Sequence, residues 1–197
     1  MPRTAEQSAA LREKRRAKML EKALRLFASL SFDDLTIDDI ASACNCSHGL
    51  FYHYFSSKED VYNALMEERH LKHPDWECPV ERILAVGGYK GLEMAFTYIN
   101  ERLHGCEPAV LYLHMDLLRP CTTLRKSEPL LGPNIYDMVL KLVKKSREDN
   151  DIVLGDPEEL TTLIIDSAIG ATTRRINLGT KTFKTADIHM MLALGHH

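Results

Sequence analysis

The sequence lacks the features that would place the chain in a membrane or outside the cell. No stretch approaches the roughly 18 unbroken apolar residues that a membrane span requires. The N-terminus has no apolar signal-peptide core and opens with charged residues. We therefore expect a cytoplasmic protein that does not contact a membrane.

Cysteine is scarce and unevenly placed. The five cysteines are an odd number, whereas a secreted disulfide framework has an even and denser set, so we expect reduced thiols. Cys44 and Cys46 form a Cys-x-Cys pair, but no second pair follows at zinc-ligand spacing. We expect the two residues to pack rather than to bind a metal, and we expect no cofactor.

The sequence also has little that indicates β-structure or catalysis. No alternation of apolar and polar residues, internal repeat or low-complexity tract stands out, and apolar residues recur at helical spacing. The nine histidines are dispersed, with no order of nucleophile, base and carboxylate and no metal-ligand spacing. We therefore expect an all-α protein that is not an enzyme.

What the chain does have is an uneven distribution of charge. Residues 1–32 carry eight Lys and Arg against three Glu, a net charge of +5. Residues 61–197 carry 16 basic and 19 acidic residues, a net charge of −3. A basic helix is usually a solvated face, and it indicates nucleic-acid binding only if the segment that follows supports that function.

The segment after the basic region has the spacing of two short helices. Thr36, with Asp39 three positions later, predicts the start of a helix over 36–43. Asn45 tolerates the left-handed backbone of a tight turn, and Ser47 can cap a second short helix. Two short helices joined by a tight turn are the helix-turn-helix pattern, whose second helix enters the major groove of DNA.

The second short helix has one apolar side. Phe51 and Phe55 lie four positions apart, so we expect both in the core. A third cap, Ser56 with Glu59, predicts another helix that runs to about residue 70.

Helical periodicity predicts the remaining elements and one loop over 121–134. The predicted helices span about 8–30, 80–104, 108 to before Pro120, 134–149, 157–177 and 185–194. Gly87, Gly88 and Gly91 follow no strand, so they indicate close helix packing or a kink rather than a dinucleotide-binding loop.

Residues 36–61, TIDDIASACNCSHGLFYHYFSSKEDV, resemble the signature of the tetracycline-repressor (TetR) family of transcription regulators. The positions that match the family pattern are Thr36, Ile40, Ala41, Ser47, Gly49, Tyr52, Phe55, Lys58 and Glu59. Four positions depart from it: Asn45 replaces the turn glycine, Cys44 and Cys46 replace the small and β-branched residues beside it, and Leu50 stands where the family often has threonine. The rest of the chain matches the family only in its layout.

The resemblance implies an N-terminal helix-turn-helix domain, residues 1–56, that binds a palindromic operator in double-stranded DNA as part of a homodimer. The residues that it implies for DNA contact are Thr36, Ser47, His48, Gly49, Leu50, Tyr52, His53 and Lys58.

Several of these residues have an alternative role. Thr36 either binds a phosphate at a helix N-terminus or only caps that helix. Tyr52 either offers its hydroxyl to a phosphate or packs in the core. Leu50 either packs on a thymine methyl group in the major groove or is buried by a shift in helix phase. Lys58, in the first turn of its helix, is expected to bind a phosphate.

The resemblance also implies that residues 57–197 form a helical domain for effector binding and dimerisation. The candidate pocket residues for a small-molecule effector of unknown identity are Tyr89, Phe96, Tyr112, His114, Met115, Tyr136 and Met138. Two subunits would pair through their last two long helices, where Ala168, Gly170 and Ala171 allow close approach.

The resemblance further implies a repressor that its ligand releases from DNA. Ligand binding would favour a conformation whose two DNA-binding domains are misplaced for successive major grooves, about 34 Å apart. A second function class is a DNA-binding protein without a small-molecule ligand, with an architectural or partner-recruiting role. Such a protein would have the same DNA-binding domain and a solidly packed C-terminal domain.

Overall fold

The structure, a computed structural model, describes residues 4–30, 32–119, 134–151 and 155–182. Within these ranges every regular element is helical, which confirms the predicted all-α class. None of the helices in these ranges is long and apolar enough to cross a membrane. The predicted helix over 185–194 and the predicted loop, apart from residue 134, lie outside the described residues.

The helices follow the predicted order. They are α1 (Ala5–Phe27), α2 (Ile37–Ala43), α3 (His48–Tyr52), α4 (Lys58–Lys72), α5 (Val80–Val86), α6 (Gly88–Leu103), α7 (Glu107–Leu118), α8 (Ile135–Glu148) and α9 (Pro157–Thr182), with a short 3-10 helix at Pro74–Trp76.

The described residues form two compact units, an N-terminal unit that ends at Pro74 and a C-terminal unit that begins at Asp75. The N-terminal unit extends past residue 56 because α4 packs on α1. Tyr62 of α4 meets Phe27 of α1 edge-on, with ring centroids 5.8 Å apart. The functional division between residues 56 and 57 stays a prediction.

Capping residues set the helix starts of the N-terminal unit. Thr36 and Asp39 form the predicted capping box of α2. The cap of α4 is one residue later than predicted, because the Ser57 hydroxyl accepts from the Asp60 N–H at 3.2 Å. The Asp60 carboxylate accepts from the Ser56 N–H at 2.8 Å and from the Ser56 hydroxyl at 3.0 Å, so the backbone of Asp60 binds Ser57 and its side chain binds Ser56.

The prediction of one helix over 80–104 is wrong, because Gly87 has a φ of +67° and separates α5 from α6. The predicted kink at these glycines is confirmed, and so is close packing. A Cβ atom at Gly91 would lie 2.5 Å from Cδ2 of Leu142 on α8. The absence of a side chain therefore lets α6 approach α8.

Helix α9 begins at its predicted cap, where Asp156 Oδ1 accepts from the Glu158 N–H at 2.8 Å. Its backbone leaves the helical region at Gly179, which has a φ of +69°. One of the small residues assigned to close approach between subunits, Ala168, is instead buried in the core of its own unit. Gly170 is exposed and Ala171 is half-buried.

Candidate functional site

The turn between α2 and α3 has the predicted left-handed residue. Asn45 has a φ of +51°. The Cys46 N–H donates to the carbonyl of Ala41 at 3.0 Å, which closes the end of α2. Ser47 then caps α3, since its hydroxyl accepts from the Leu50 N–H at 3.3 Å. These hydrogen bonds fix the direction in which α3 leaves the turn.

Helix α3 has a buried side and an exposed side. Phe51 is fully buried, and Phe55, just beyond the helix, is 2% exposed, which confirms both core predictions. Leu50 is 37% exposed and Tyr52 is 53% exposed, so the buried alternatives for these two residues are wrong. We call the exposed residues of this segment the α3 face: Ser47, His48, Gly49, Leu50, Tyr52 and His53.

Two residues leave the α3 face open to a binding partner. A Cβ atom at Gly49 would have nothing within 4 Å, so packing inside the unit does not require this glycine. The Tyr52 ring packs edge-on against Phe51, with centroids 5.5 Å apart. Its hydroxyl has no hydrogen-bond partner among the described residues.

An acidic residue that sequence reasoning missed lies beside the α3 face. Nε2 of His48 is in hydrogen-bond contact with Oδ1 of Asp38, in the first turn of α2. Both side chains are exposed. The contact joins residues ten positions apart across the turn, and no periodicity or motif in the sequence indicates it.

Thr36 acts as a cap in this structure, as one of its two alternatives predicts. Its hydroxyl accepts from the Asp39 N–H at 3.2 Å and lies 2.5 Å from Asp39 Oδ2. Its own N–H donates to the same carboxylate at 2.9 Å. The hydrogen bonds that Thr36 donates to Asp39 hold the pKa of this carboxyl below its usual value, and the bond from the hydroxyl has the larger effect. A phosphate at Thr36 would have to displace this carboxylate.

The surroundings of Lys58 differ from those expected of a side chain that is free to bind a phosphate. Its ammonium group donates to the carbonyls of Phe32 at 2.7 Å and Leu35 at 3.0 Å, and lies 3.5 Å from that of Asp33. The nitrogen also lies 4.5 Å from the centroid of the Phe32 ring. An ammonium group has three hydrogens, and in this structure those of Lys58 are directed at the backbone of the loop before α2. Phosphate binding by Lys58 stays a prediction.

The Cys-x-Cys pair gives no sign of metal chemistry. Cys44 and Cys46 are both half-buried. Burial raises the pKa of each thiol, which disfavours the thiolate that binds metals. Within the described residues, no group of three or more histidine, cysteine or acidic side chains could hold a metal ion.

The predicted pocket residues divide into two groups in the C-terminal unit. Phe96 and Met138 lie in the hydrophobic core around α6 and α8, and Tyr89 and Tyr136 pack half-buried against it. The other group lies on α7, where every residue from 109 to 117 is buried. This α7 group consists of Tyr112, His114 and Met115.

His114 is tied to α9 by a hydrogen bond that fixes its tautomer. The Thr172 hydroxyl lies 3.1 Å from the carbonyl of Ala168 and 2.9 Å from that of Ile169, so its single hydrogen is donated to the backbone. The Thr172 oxygen therefore accepts from Nδ1–H of His114 at 2.6 Å. Burial lowers the pKa of His114 to about 4, so the ring is neutral at pH 7. Its Nε2 keeps a lone pair that has no partner among the described residues.

Two residues of α9 that sequence reasoning missed connect it to the rest of the unit. Thr172 binds His114, as described above. Arg175 is buried and donates to the carbonyls of Leu103 and Gly105, each at 3.0 Å, at the end of α6. Both contacts join residues more than fifty positions apart, so no local pattern in the sequence predicts them.

A protein-family comparison matches part of the N-terminal unit. The family model described as bacterial regulatory proteins, tetR family, matches residues 19–65, which contain α2, α3 and most of α4. Over these residues the chain is similar to the tetR family. The matched range includes the α3 face and the capped turn that precedes it.

Curated relatives resemble the chain over its N-terminal part. An uncharacterized HTH-type transcriptional regulator of Bacillus subtilis, YuxN, is 41% identical over 48 residues, 24% of this chain and 16% of the relative. The negative regulator IcaR of the biofilm operon icaADBC of Staphylococcus epidermidis is 30% identical over 50 residues, 25% of this chain and 27% of the relative. The regulator BetI of Burkholderia ambifaria is 31% identical over 75 residues, 38% of each chain. The chain thus spans less than two fifths of these relatives.

Solved structures extend the likeness to the whole fold. A γ-butyrolactone receptor described as an ArpA-like protein has a TM-score of 0.50 at 18% identity, covering 92% of this chain and 95% of the receptor. The fatty acid degradation regulator FadR of Bacillus halodurans has a TM-score of 0.50 at 15% identity, covering 92% of each chain. At these identities the likeness shows the helical fold alone.

Proposed function

We propose that this chain is a dimeric transcription regulator of the tetR family that binds a palindromic operator through the α3 face. The observation that carries this proposal is the division of α3 into two sides. Phe51 and Phe55 anchor the inner side, while Leu50 and Tyr52 point outward. A short helix held this way after a tight turn has the geometry of a recognition helix in the major groove.

The DNA contacts follow from the chemistry of the α3 face. Tyr52 offers a free hydroxyl to a phosphate, and Gly49 lets the DNA backbone approach closely. Leu50 packs on a thymine methyl group. Ser47, His48 and His53 reach bases or phosphates from the same short segment. Thr36 and Lys58 would support the α3 face indirectly, because their hydrogen bonds hold the start of α2 and the loop before it in place.

The proposed regulation is release of a repressor by a small molecule bound in the C-terminal unit. A curated relative is named a negative regulator and a fold neighbour a receptor, which supports this proposal but leaves the effector unidentified. Polar recognition would come from His114, whose neutral Nε2 accepts a hydrogen bond. Apolar contact would come from the other candidate residues, Tyr89, Phe96, Tyr112, Met115, Tyr136 and Met138. The protein would act in the cytoplasm and would not be an enzyme.

Selection of bound sequences from a library of random duplex DNA tests the proposed function. The full chain should enrich two inverted half-sites at a fixed spacing, and metabolites are then screened for release of the selected duplex. A chain that enriches no sequence would contradict operator binding. Binding that no metabolite reduces would favour a regulator without a small-molecule ligand.

A further inference from the structure

The segment proposed to read DNA is itself acidic. Residues 33–60 contain one lysine and no arginine against six acidic residues, a net charge of −5. The acidic residues are Asp33, Asp34, Asp38, Asp39, Glu59 and Asp60. The lysine, Lys58, donates to the carbonyls of Phe32 and Leu35. Protein–DNA affinity comes mainly from cations that neutralise phosphates, so the cations for this unit must lie elsewhere.

Helix α1 carries a row of basic residues on one side. Lys14, Lys18 and Lys22 lie four positions apart, which places them on one side of a helix at intervals of about 6 Å. Arg15 borders the same row. All four side chains are exposed. We call these four residues the α1 basic row. Lys14, Arg15 and Lys18 make no hydrogen bond or ion pair with the described residues.

A contact at the end of the row places it beside the helix-turn-helix. Nζ of Lys22 donates to the carbonyl of Ala43 at 2.6 Å, and Ala43 is the last residue of α2. The thiol of Cys44 in turn contacts the carbonyl of Met19 on α1 at 3.8 Å. The α1 basic row therefore begins at the turn before α3 and continues along α1 away from it.

From this placement we infer that Lys14, Arg15 and Lys18 of the α1 basic row bind the phosphate backbone of DNA next to the groove that α3 enters, while Lys22 fastens the row to the end of α2. The row supplies the sequence-independent affinity that the acidic helix-turn-helix segment lacks, and the α3 face supplies the specificity. This division follows the general separation between phosphate contacts, which position a protein, and base contacts, which specify a sequence. The inference rests on the proposed function.

The salt dependence of DNA binding tests the inference. The variant Lys14→Gln, Arg15→Gln, Lys18→Gln is titrated onto a fluorescent duplex of random sequence. The duplex is about 40 bp long, so that it offers phosphates for non-specific binding. Each phosphate contact contributes about 0.9 to the slope of log K against log salt concentration. Loss of three contacts should make the slope shallower by about two to three and weaken binding at least about tenfold at low salt. Lys22 is left unchanged because it binds Ala43.

A control with the same change in charge separates local contact from net charge. The variant Arg82→Gln, Lys90→Gln, Lys141→Gln removes three exposed cations from the C-terminal unit, and its slope should equal that of the parent. The variant Lys14→Arg, Lys18→Arg keeps the charges and should keep the slope. If the N-terminal triple variant keeps the parental slope, the inference is wrong although DNA binding stands. A parent that binds no DNA overturns the proposed function and the inference together.

Discussion

Leu50 is the residue at which the exposed side of α3 departs from the family pattern. Its partial exposure means that truncation removes little from the core. We expect Leu50→Ala to lose roughly 1 kcal/mol of affinity for the selected operator, the lower end for one base preference. The loss should occur only where the operator has thymine at one position of each half-site, because a methyl group is the contact.

Comparison of thymine and uracil operators measures this contact directly. The parent should prefer thymine, and Leu50→Ala should bind both equally. Leu71→Ala, which truncates an exposed leucine of α4, is the matched control and should keep the preference. A core role would instead lower folding stability by about 2–5 kcal/mol and leave the thymine preference intact, and that result would refute the groove placement.

His114 makes the stability of the C-terminal unit depend on pH. Its pKa is about 4 when folded, below the value of 6.5 that a free histidine has. Between these values the unfolded chain binds a proton that the folded chain does not. The free energy of unfolding should therefore fall as the pH drops from 6.5 towards 4, by up to about 3 kcal/mol.

Urea unfolding followed by the fluorescence of Trp76 checks this dependence. Trp76 is the only tryptophan of the chain, and its ring lies 6.3 Å from that of Tyr112 on α7, so it reports on this unit. His114→Gln should remove the loss of stability below pH 6.5. His104→Gln, at an exposed histidine of the same unit, should retain it. Equal pH profiles in the two variants would show that His114 does not carry the effect.

At the scale of elements, the start of α4 holds the loop before α2. Lys58→Met keeps most of the side-chain length and removes the donors to the carbonyls of Phe32 and Leu35. Hydrogen bonds from charged groups contribute about 1.5–3 kcal/mol each, so the unfolding free energy should fall by about 3 kcal/mol, the lower end for two such bonds. The salt slope of DNA binding should stay at the parental value.

A lysine at the other end of α4 provides the control for Lys58. Lys72 pairs with Glu68 on the surface, and such pairs contribute little, about 0–1 kcal/mol. Lys72→Met should therefore leave urea unfolding almost unchanged. Should Lys58→Met unfold like the parent and lower the salt slope by about 0.9, Lys58 would be a phosphate contact after all.

The elements that local chemistry determines could be predicted from the sequence. Thr36 with Asp39, Asn45 and Asp156 act locally, so the caps and the turn follow from spacing alone. The glycines at 87, 88 and 91 predicted close packing or a kink but not a complete break into two helices, because the apolar period continues through α5 and α6. The same limit applies to Lys58, whose partners lie 23 to 26 residues earlier in the chain and come near it only after folding.

At the scale of the whole molecule, α9 combines two roles. Ile164, Ile165 and Ala168 are buried in the core of their own unit. Leu163 is 58% exposed on the same helix, and Gly170, seven residues further along it, is also exposed. An amphipathic pattern predicts the helix but does not say which apolar residues serve the core and which are left for a second subunit. In the structure Ala168 is buried in the core and Leu163 is exposed. Dimerisation is therefore better tested by a substitution at Leu163 than at Ala168.

The mass of the protein–DNA complex tests the central claim most directly, because the account requires two N-terminal units on one operator. Sedimentation equilibrium of the parent with the selected duplex should give two chains per duplex. Leu163→Asp should sediment as a monomer and lose specific binding, while Leu71→Asp, at an exposed leucine of the N-terminal unit, should still form a dimer. One parental chain per duplex, or Leu163→Asp monomers that bind the selected duplex with undiminished affinity, would contradict the account.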